Sequence, residues 1–390
     1  MPARLVAVDL PPGDAFVAAL DEAWAAGDAV LPLDPSAPKP TRDALKAKLG
    51  VGEPIDDDIA LVIATSGSTG QPKGAQLSRD ALDASARATM QRIGTGTDDY
   101  WLSCLPWHHI GGLQVLLRAR LTTTPLTIHE RFDVERFANE TTPTLTSLVP
   151  TQLQRLLDAG IDLTRYRAIL LGGAAASDAL LRKANDAGVH VVTTYGMSET
   201  AGGCVYDGVS LGGVDVRISA GSRIEIRGPM LMSGYRGEGD GANDPIVDGW
   251  LTTNDVGEIA SDNRLVVRGR IDDVVVTGGE NVVTSDVADV LREHPAIADA
   301  AVTGVTDDVW GQRVVAVVVL RNDTALTLDD VRMWAATRMS RAAIPRGLVL
   351  VESIPLLASG KPDRVALRAL AQAAGTGFTP RSHSASPPST

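Results

Sequence analysis

The sequence predicts an α/β fold in which a large domain is followed by a small α+β domain. Through about the first 200 residues, short apolar runs that end in Gly, Ser or Thr alternate with helical patterns, which is typical of buried strands between helices. From about Gly213 the pattern changes to short alternating strands and Gly-rich turns, which predicts a β-rich subdomain. After Arg270 a compact unit of about 100 residues mixes strands with helices.

The predicted elements follow this order along the chain. In the first part, buried strands are expected at 59–64, 144–149, 168–171 and 189–194, with a helix over LQRLLDAG after the second of them. The β-rich subdomain is expected to include strands at 223–227 and 264–268. The last unit is expected to hold the strand DVVVTGG, a helix from about Ser285 to His294, strands near 300–305 and 313–320, a helix near 328–339 and a strand at 347–351. We expect a large domain over 1–270, a hinge at 271–272 and a small domain over 273–370. Residues 371–390 are expected to form a disordered tail, because the C-terminal end of the chain is rich in Ser, Pro and Thr and lacks apolar periodicity.

Charge and composition exclude several classes of function. With 36 Lys and Arg against 48 Asp and Glu, the net charge of −12 has the wrong sign for a protein whose main partner is nucleic acid or an anionic membrane. Two cysteines cannot build a disulfide framework or a Cys-based zinc site. No secretory signal and no run of about 18 apolar residues occurs, so we expect no membrane span and a cytoplasmic protein.

A phosphate-binding loop is predicted at TSGSTGQPKG, directly after a buried strand. Its glycines let the backbone fold around an anion, its hydroxyls and N–H groups can donate to phosphate oxygens, and its lysine adds a positive charge. The spacing differs from that of a Walker A loop. The candidate residues are Thr65, Ser66, Gly67, Ser68, Thr69, Gly70 and Lys73.

Further motifs follow downstream: Tyr195 to Thr200 (YGMSET), Asp255 in GWLTTND, Arg270 in RGRIDD and Lys361 in SGK. Together with the phosphate loop, and in this order, they resemble the adenylate-forming superfamily of acyl-CoA synthetases, luciferases and peptide-synthetase adenylation domains. The resemblance covers about residues 60–365. It implies a large N-terminal domain of layered mixed sheets with a β-rich subdomain and a small mobile C-terminal domain.

The resemblance also implies roles for these residues. Thr200 would touch the α-phosphate, Glu199 would hold Mg²⁺, Asp255 and Arg270 would contact the ribose, and Lys361 would be the mobile catalytic lysine. Alone, Glu199 would more often be a solvated carboxylate. It lies at the carboxyl end of a predicted strand, however, where open α/β sheets bind ligands.

Glycine pairs after two predicted strands are candidate binding positions as well. Gly172-Gly173, followed by Ala174-Ala175, would let a flat adenine lie against backbone, and the alternative is a tight turn. Tyr195 and Gly196 are further candidate cofactor-binding residues. By resemblance, Gly278-Gly279 would line a pantetheine tunnel, and the alternative is an ordinary strand-end turn. By resemblance, Asp272 is the hinge about which the small domain rotates between the two half-reactions.

The acid pocket is predicted from LPWHHIGGLQVLLRARL. By resemblance, His109 and Gly112 lie beside the acyl group, while His108 has no assigned role. Arg118 stands in an apolar run, where burying an unpaired guanidinium would cost several kcal/mol. The alternatives for Arg118 are an internal salt bridge, simple exposure, or recognition of a second substrate carboxylate.

The resemblance implies an acid–CoA ligase that uses ATP, Mg²⁺ and CoA, and it implies a small aromatic dicarboxylate as the substrate. Two alternatives stay open: a stand-alone adenylation enzyme that loads an aryl or amino acid onto a carrier protein, and a catalytically silent nucleotide-binding protein.

The phosphate loop begins at Thr65, earlier than is usual in the superfamily. We therefore expect either a trimmed core or a partner chain that covers the exposed surface, as in a homodimer.

Overall fold

The computed structural model describes residues 2–66, 72–94, 96–237, 245–322, 324–356 and 362–374. The chain divides into two compact units. The first unit comprises Met1–Ser219, Ile224–Thr253 and Ile259–Val266. The second comprises Ala220–Arg223, Asn254–Glu258 and Val267–Thr390.

Strands alternate with α-helices over most of residues 5–197, whereas the described residues between 202 and 283 form strands without an α-helix. The strands are β1 Leu5–Val8, β2 Ala29–Pro32, β3 Ile59–Ser66, β4 Pro72–Ser78, β5 Trp101–Ser103, β6 Leu126–Ile128, β7 Leu145–Leu148, β8 Ala168–Leu171, β9 Val191–Met197, β10 Gly202–Tyr206, β11 Val209–Ser210, β12 Asp215–Ile218, β13 Arg223–Arg227, β14 Gly234–Arg236, β15 Ile246–Val247, β16 Trp250–Ile259, β17 Leu265–Arg270, β18 Val274–Thr277, β19 Glu280–Val283, β20 Ile297–Asp307, β21 Gly311–Leu320 and β22 Gly347–Val351. The α-helices are α1 Asp14–Ala25, α2 Lys39–Lys48, α3 Arg79–Ile93, α4 Ile110–Thr122, α5 Val134–Asn139, α6 Pro150–Asp158, α7 Asp178–Asp186, α8 Thr284–Arg292, α9 Leu328–Ala336 and α10 Arg364–Ala374.

Two mixed sheets form most of the first unit. One has the order β1-β2-β3-β4-β14, with β1, β2 and β3 parallel and with β4 antiparallel to both of its neighbours. The other has the order β11-β10-β9-β8-β7-β5-β6, parallel from β6 to β9 and antiparallel at β10 and β11. The predicted α/β fold with layered mixed sheets is therefore confirmed.

Helix α4 is buried on almost all sides, because it packs against α3 and against strands of the second sheet. A helix that is apolar all round belongs in a core rather than on a surface. Trp107, just before it, is buried and packs edge-on against Phe16 at 5.1 Å between ring centroids. This packing takes the one arginine in the middle of the helix, Arg118, into the interior.

Short strands that the sequence places in a β-rich subdomain form a third sheet. Its order is β12-β13-β16-β15, and β17 also pairs with β16. Antiparallel pairing of β12 with β13 brings Arg217 opposite Glu225, and these side chains form an ion pair at 2.6 Å.

The second unit contains a sheet with the order β19-β18-β21-β20, and β22 joins β21 in parallel. Helices α8 and α10 pack on β20, and buried side chains such as Leu291 and Val314 form its core. Helix α10 continues to Ala374, because Ala371 is buried against Val305 and Val315. Residues 371–374, expected in the tail, are thus helical, and residues 375–390 lie outside the described residues. Among the helices of the described ranges, none is both long enough and apolar enough to cross a bilayer.

Candidate active site

The predicted phosphate loop joins two antiparallel strands of the first sheet. Strand β3 ends at Ser66 and β4 returns from Pro72, so that Thr65 is opposite Lys73 in the ladder. The Thr65 hydroxyl lies 3.4 Å from the backbone oxygen of Lys73. The centre of the loop, Gly67, Ser68, Thr69 and Gly70, lies outside the described residues, as does Lys361.

Lys73 and Glu199, which are far apart in sequence, meet on the same tyrosine. The Lys73 ammonium lies 3.4 Å from the centroid of the Tyr235 ring. The Tyr235 hydroxyl donates a 2.5 Å hydrogen bond to Oε1 of Glu199. The structure therefore brings the cation of the phosphate loop and the predicted Mg²⁺ ligand to one place in the first unit.

A tight turn between β9 and β10 positions Glu199. A single 3₁₀ turn over Ser198–Thr200 follows β9, and the chain then reverses through Ala201 and Gly202, both at positive φ. The fully buried Thr200 hydroxyl accepts from the Met197 N–H at 2.9 Å and lies 2.7 Å from the Gly202 oxygen, so it holds the turn closed. Thr200 has this structural role alongside the phosphate contact predicted for it.

Parallel strands β8 and β9 bring the two glycine motifs to the same sheet edge. Leu171 pairs with Thr193, so Gly172-Gly173 and Tyr195-Gly196 follow neighbouring strand ends. A Cβ on Gly172 would lie 2.2 Å from the Thr194 hydroxyl, and one on Gly196 would lie 2.1 Å from the Gly202 oxygen. Packing alone requires glycine at both positions, and it also leaves bare backbone at the edge where α/β sheets bind ligands.

In the second unit, the structure brings the two predicted ribose contacts together. Asp255, on β16, is 8% exposed, and its Oδ1 lies 3.5 Å from Nη1 of Arg270 at the end of β17. The next residues form a 3₁₀ turn over Ile271–Asp273, which contains the predicted hinge position Asp272. The two residues that the resemblance assigns to the ribose are thus neighbours within the second unit.

Gly278 and Gly279 form the two-residue turn of the β18–β19 hairpin. Their φ angles of +59° and +84° suit a turn in which both central residues are left-handed. The Gly278 N–H donates to the Trp310 oxygen at 2.9 Å, and a Cβ on Gly278 would lie 2.9 Å from the Trp310 ring. Turn geometry and this close approach therefore require glycine, whether or not a pantetheine arm passes there.

The histidine pair precedes α4. His109 is the N-cap residue of the helix, and its ring centroid lies 4.4 Å from that of His108. Burial lowers the pKa of His108 below its usual value, and the nearby charge of Asp34 opposes this effect only in part. A Cβ on Gly112 would lie 2.2 Å from the Pro106 oxygen, so glycine there lets the first turn of α4 pack against the preceding backbone.

Arg118 is 3% exposed and lies in a buried polar cluster. Its Nη2 is 3.5 Å from the Tyr206 hydroxyl, which in turn lies 2.9 Å from the Thr89 hydroxyl. Within the described parts of the chain, its Nε has no hydrogen-bond partner and no carboxylate forms an ion pair with it. A buried guanidinium needs hydrogen-bond acceptors or an anion to compensate its lost hydration, and the Tyr206 hydroxyl supplies one such acceptor among the described residues.

Other members of the cluster join Arg118 to the turn that carries Glu199. Gln114 donates to the Ala201 oxygen at 2.8 Å, and the Ser85 hydroxyl donates to the same oxygen at 2.9 Å. A Cβ built on Gly202 would lie 3.9 Å from Nη2 of Arg118. The guanidinium therefore lies beside the backbone that follows the predicted metal ligand, in the same unit.

The residues present fit Mg²⁺ held largely by a nucleotide. Among the described residues there is no group of three or more His, Cys, Asp or Glu side chains that could enclose a metal. Mg²⁺ at phosphate-transfer sites usually needs only one or two protein carboxylates, since phosphates and waters supply the other oxygens. Glu199, beside the lysine of the phosphate loop, meets that requirement.

Sequence reasoning missed the contacts of Tyr235, Tyr206, Gln114 and Ser85. Gln114 lies within the segment predicted to form the acid pocket but has no role assigned from sequence, and the other three belong to no motif with a spacing that indicates chemistry. Tyr235 lies on the short strand β14, and only the pairing of β14 with β4 brings it next to Lys73. Helices α3 and α4 are mostly apolar on their buried faces, and the polar residues among them are the available signal of a buried polar cluster: Ser85, Thr89, Gln114 and Arg118.

Comparison with known proteins gives two family matches. Residues 31–236 match the model of the AMP-binding enzyme family, and residues 286–361 match that of the AMP-binding enzyme C-terminal domain. A probable 2-succinylbenzoate–CoA ligase of Mycobacterium tuberculosis is 43% identical over 340 residues, which are 83% of this chain and 88% of that protein.

Solved structures with the same fold include two of o-succinylbenzoate CoA synthetase from Bacillus subtilis. The complex with the acyl-adenylate intermediate has a TM-score of 0.86 and 26% identity, covering 94% of this chain and 88% of the other. The complex with ATP and magnesium ion has a TM-score of 0.85 and 25% identity, and the match covers 95% of this chain and 90% of the other.

Proposed function

The chain belongs to the AMP-binding enzyme family, and from this premise we propose that it is an ATP-dependent ligase that joins 2-succinylbenzoate to coenzyme A. The acid would first react with ATP to give an acyl-adenylate and pyrophosphate, and the CoA thiol would then displace AMP to form the thioester. We place the product in menaquinone biosynthesis, as the resemblance read from the sequence implies. The observation that carries the choice of acid is the buried Arg118.

The first half-reaction requires negative charge to be neutralised around the triphosphate. Lys73 supplies a cation at the base of the phosphate loop, and the Glu199 carboxylate would hold Mg²⁺. When bound, Mg²⁺ neutralises phosphate charge and orients the leaving pyrophosphate. Thr200 would turn its hydroxyl toward the α-phosphate, or would act by keeping the Glu199 turn in shape.

Arg118 would bind the carboxylate of the acid that is not activated. Its weak contact with Tyr206 leaves most of its donors for a ligand, and its neighbours Ser85 and Gln114 fix the adjoining backbone. An aromatic dicarboxylate could satisfy this charge with one carboxylate while the other reacts with ATP. By resemblance the succinyl carboxyl is activated, so Arg118 would hold the ring carboxylate, with His109 and Gly112 beside the acyl chain.

Within the first unit, Gly172, Gly173, Tyr195 and Gly196 would form the adenine side of the nucleotide site, and the neighbouring ends of β8 and β9 support this role. By resemblance, Asp255 and Arg270 would contact the ribose hydroxyls, and their 3.5 Å contact within the second unit is consistent with a shared role. Gly278 and Gly279 would admit the pantetheine arm of CoA, with Asp272 as the hinge. A homodimer and a cytoplasmic location stay predictions from the sequence.

A substrate comparison tests the proposed function. We expect purified protein with ATP, Mg²⁺ and CoA to release AMP and form a thioester with 2-succinylbenzoate at least about tenfold more efficiently than with benzoate, which lacks the second carboxylate. AMP release and thioester absorbance are the measurements. Better turnover of benzoate, fatty acids or amino acids would contradict the choice of acid, and preferred loading of a carrier protein over CoA would favour the alternative of a stand-alone adenylation enzyme.

Lys361→Ala separates the two half-reactions. If Lys361 neutralises charge only while the adenylate forms, its loss should slow adenylate formation about 100-fold, the usual effect of removing one preorganised charge donor. Thioester formation from synthetic acyl-adenylate and CoA should stay within about threefold of the wild-type rate. Equal losses in both steps would mean that Lys361 does not act in adenylation alone.

A further inference from the structure

We propose that Tyr235 is a positioning residue that aligns the Mg²⁺ ligand Glu199 with the phosphate-loop lysine Lys73. The inference rests on the proposed use of Mg·ATP and extends it to a residue outside the motifs. Tyr235 touches neither reacting atom in this arrangement. It acts through the two side chains that do the binding.

The two ends of the Tyr235 side chain have different partners. Its hydroxyl donates to Oε1 of Glu199 at 2.5 Å, a distance typical of a strong charge-assisted bond. Its ring face lies 3.4 Å from the Lys73 ammonium, on the electron-rich side that attracts a cation. One rigid side chain thus sets the separation between a metal-binding anion and a phosphate-binding cation.

The hydroxyl bond suits a metal ligand. A carboxylate has two oxygens, and a bond that engages Oε1 fixes the rotation of the group while its other oxygen can serve a cation. Groups that orient a metal ligand in this way contribute to metal affinity without touching the metal. Removing the hydroxyl should therefore weaken the response to Mg²⁺ more than it weakens the binding of the nucleotide itself.

Tyr235 is itself held in place by the backbone around it. On β14 it pairs with Ala75 of β4, two residues beyond Lys73. The next residue, Arg236, donates from Nε to the Leu49 oxygen at 2.6 Å and from Nη2 to the Pro54 oxygen at 3.2 Å. The carbonyl groups of Leu49, which follows α2 directly, and of Pro54 thus hold the short strand in place, and the Tyr235 ring with it.

Two substitutions at this position separate the two contacts. Tyr235→Phe keeps the ring under Lys73 and removes only the hydroxyl, whereas Tyr235→Leu removes both contacts. Tyr100→Phe is the matched control, because the half-buried Tyr100 has a hydroxyl bonded to Thr127 at 3.2 Å and takes no part in the site. The measurement is calorimetric binding of ATP to the full chain, first with EDTA and then across a titration of Mg²⁺.

For Tyr235→Phe we expect the Mg²⁺ concentration that half-saturates tight ATP binding to rise about tenfold, the size of effect seen when a metal ligand loses its orienting partner. Its metal-free affinity for ATP should stay within about twofold of wild type. Tyr235→Leu should in addition lose about two- to fivefold in metal-free affinity, which corresponds to one lost cation–π contact. Tyr100→Phe should match wild type in both measurements.

An unchanged Mg²⁺ requirement in Tyr235→Phe would overturn the proposal, and so would an equal loss of affinity with and without Mg²⁺, because a purely structural tyrosine would act on both alike. The Phe variant suffices for this test even if the Leu variant does not fold. The readout needs no acid substrate, so an error in the choice of acid leaves it unaffected. Wild-type protein that binds no ATP would contradict the proposed function itself, before any variant is compared.

Discussion

Replacing Arg118 by Met should weaken the use of 2-succinylbenzoate about 10²- to 10³-fold in kcat/KM while the free protein unfolds at the same or a higher temperature. The loss follows because truncating one partner of a buried charge pair typically costs about 2 to 5 kcal/mol, roughly 30- to 4,000-fold, and the expected value lies within this range. Stability should not fall, because no described carboxylate pairs with Arg118 and Met fills a similar volume without a charge to desolvate.

Arg120→Met is the matched control on the same helix. Arg120 forms a two-pronged ion pair with Asp21, with both nitrogen–oxygen distances at 2.7 Å, on the exposed side of α4. Loss of this ion pair should leave kcat/KM for 2-succinylbenzoate within about twofold of the wild-type value, because an exposed ion pair contributes about 1 kcal/mol or less to stability. ATP affinity should be retained in both variants.

Two outcomes would contradict the role of Arg118. A marked fall in unfolding temperature together with weaker ATP binding would identify a structural arginine. An unchanged preference for 2-succinylbenzoate over benzoate would show that another group recognises the second carboxylate. Steady-state kinetics with both acids and a thermal unfolding scan decide between them.

Glu199→Gln should slow the formation of acyl-adenylate about 10³-fold at physiological Mg²⁺. The amide keeps the size of the side chain and can still meet the Tyr235 hydroxyl, but it cannot offer an anionic oxygen to the metal. A loss of this size, about 4 kcal/mol, is reasonable where a metal ion stabilises most of the developing charge on the leaving group.

Thioester formation from synthetic acyl-adenylate and CoA should stay within about threefold of wild type in Glu199→Gln, because pyrophosphate has already left. Pyrophosphate release in the first step and thioester formation in the second are measured separately. Glu22→Gln, on the exposed face of α1, is the control and should behave as wild type in both steps. Equal slowing of both steps would show that Glu199 supports the fold of the turn rather than the metal.

Several elements could be read from the chain with little error, because their signals are local. The runs at 168–171, 223–227 and 347–351 coincide with β8, β13 and β22, since each is a short apolar or alternating stretch bounded by turn residues. Helix ends were less well located. The helix expected over 328–339 ends at Ala336. Residues 371–374, expected in the tail, belong to α10, because Ala371 is buried against the sheet.

Some residues of the candidate site could likewise be predicted from local motifs, and others could not. The glycine pairs, Glu199 and Lys73 stand in motifs whose order along the chain is informative, so the sequence indicated them without any coordinates. Tyr235 could not be identified from the sequence, because its two contacts depend on tertiary structure. The pairing of β14 with β4 brings it to Lys73, and its bond to Glu199 reaches a turn 36 residues away. The glycines show the converse: Gly112 and Gly196 stand in the predicted sites, and the packing adds a second reason for each of them.

The sequence by itself determined the α/β class, the order of the motifs and the family, because strand periodicity and motif spacing are properties of neighbouring residues. For Arg118 it left three alternatives: a salt bridge, exposure and a ligand. Within the described residues the packing excludes the first two: it buries the side of α4 that carries Arg118, and it places the guanidinium 3.5 Å from the Tyr206 hydroxyl without a carboxylate that forms an ion pair with it. Burial and charge pairing depend on which distant segments pack together, and that is decided by the assembled sheets rather than by any local stretch of chain.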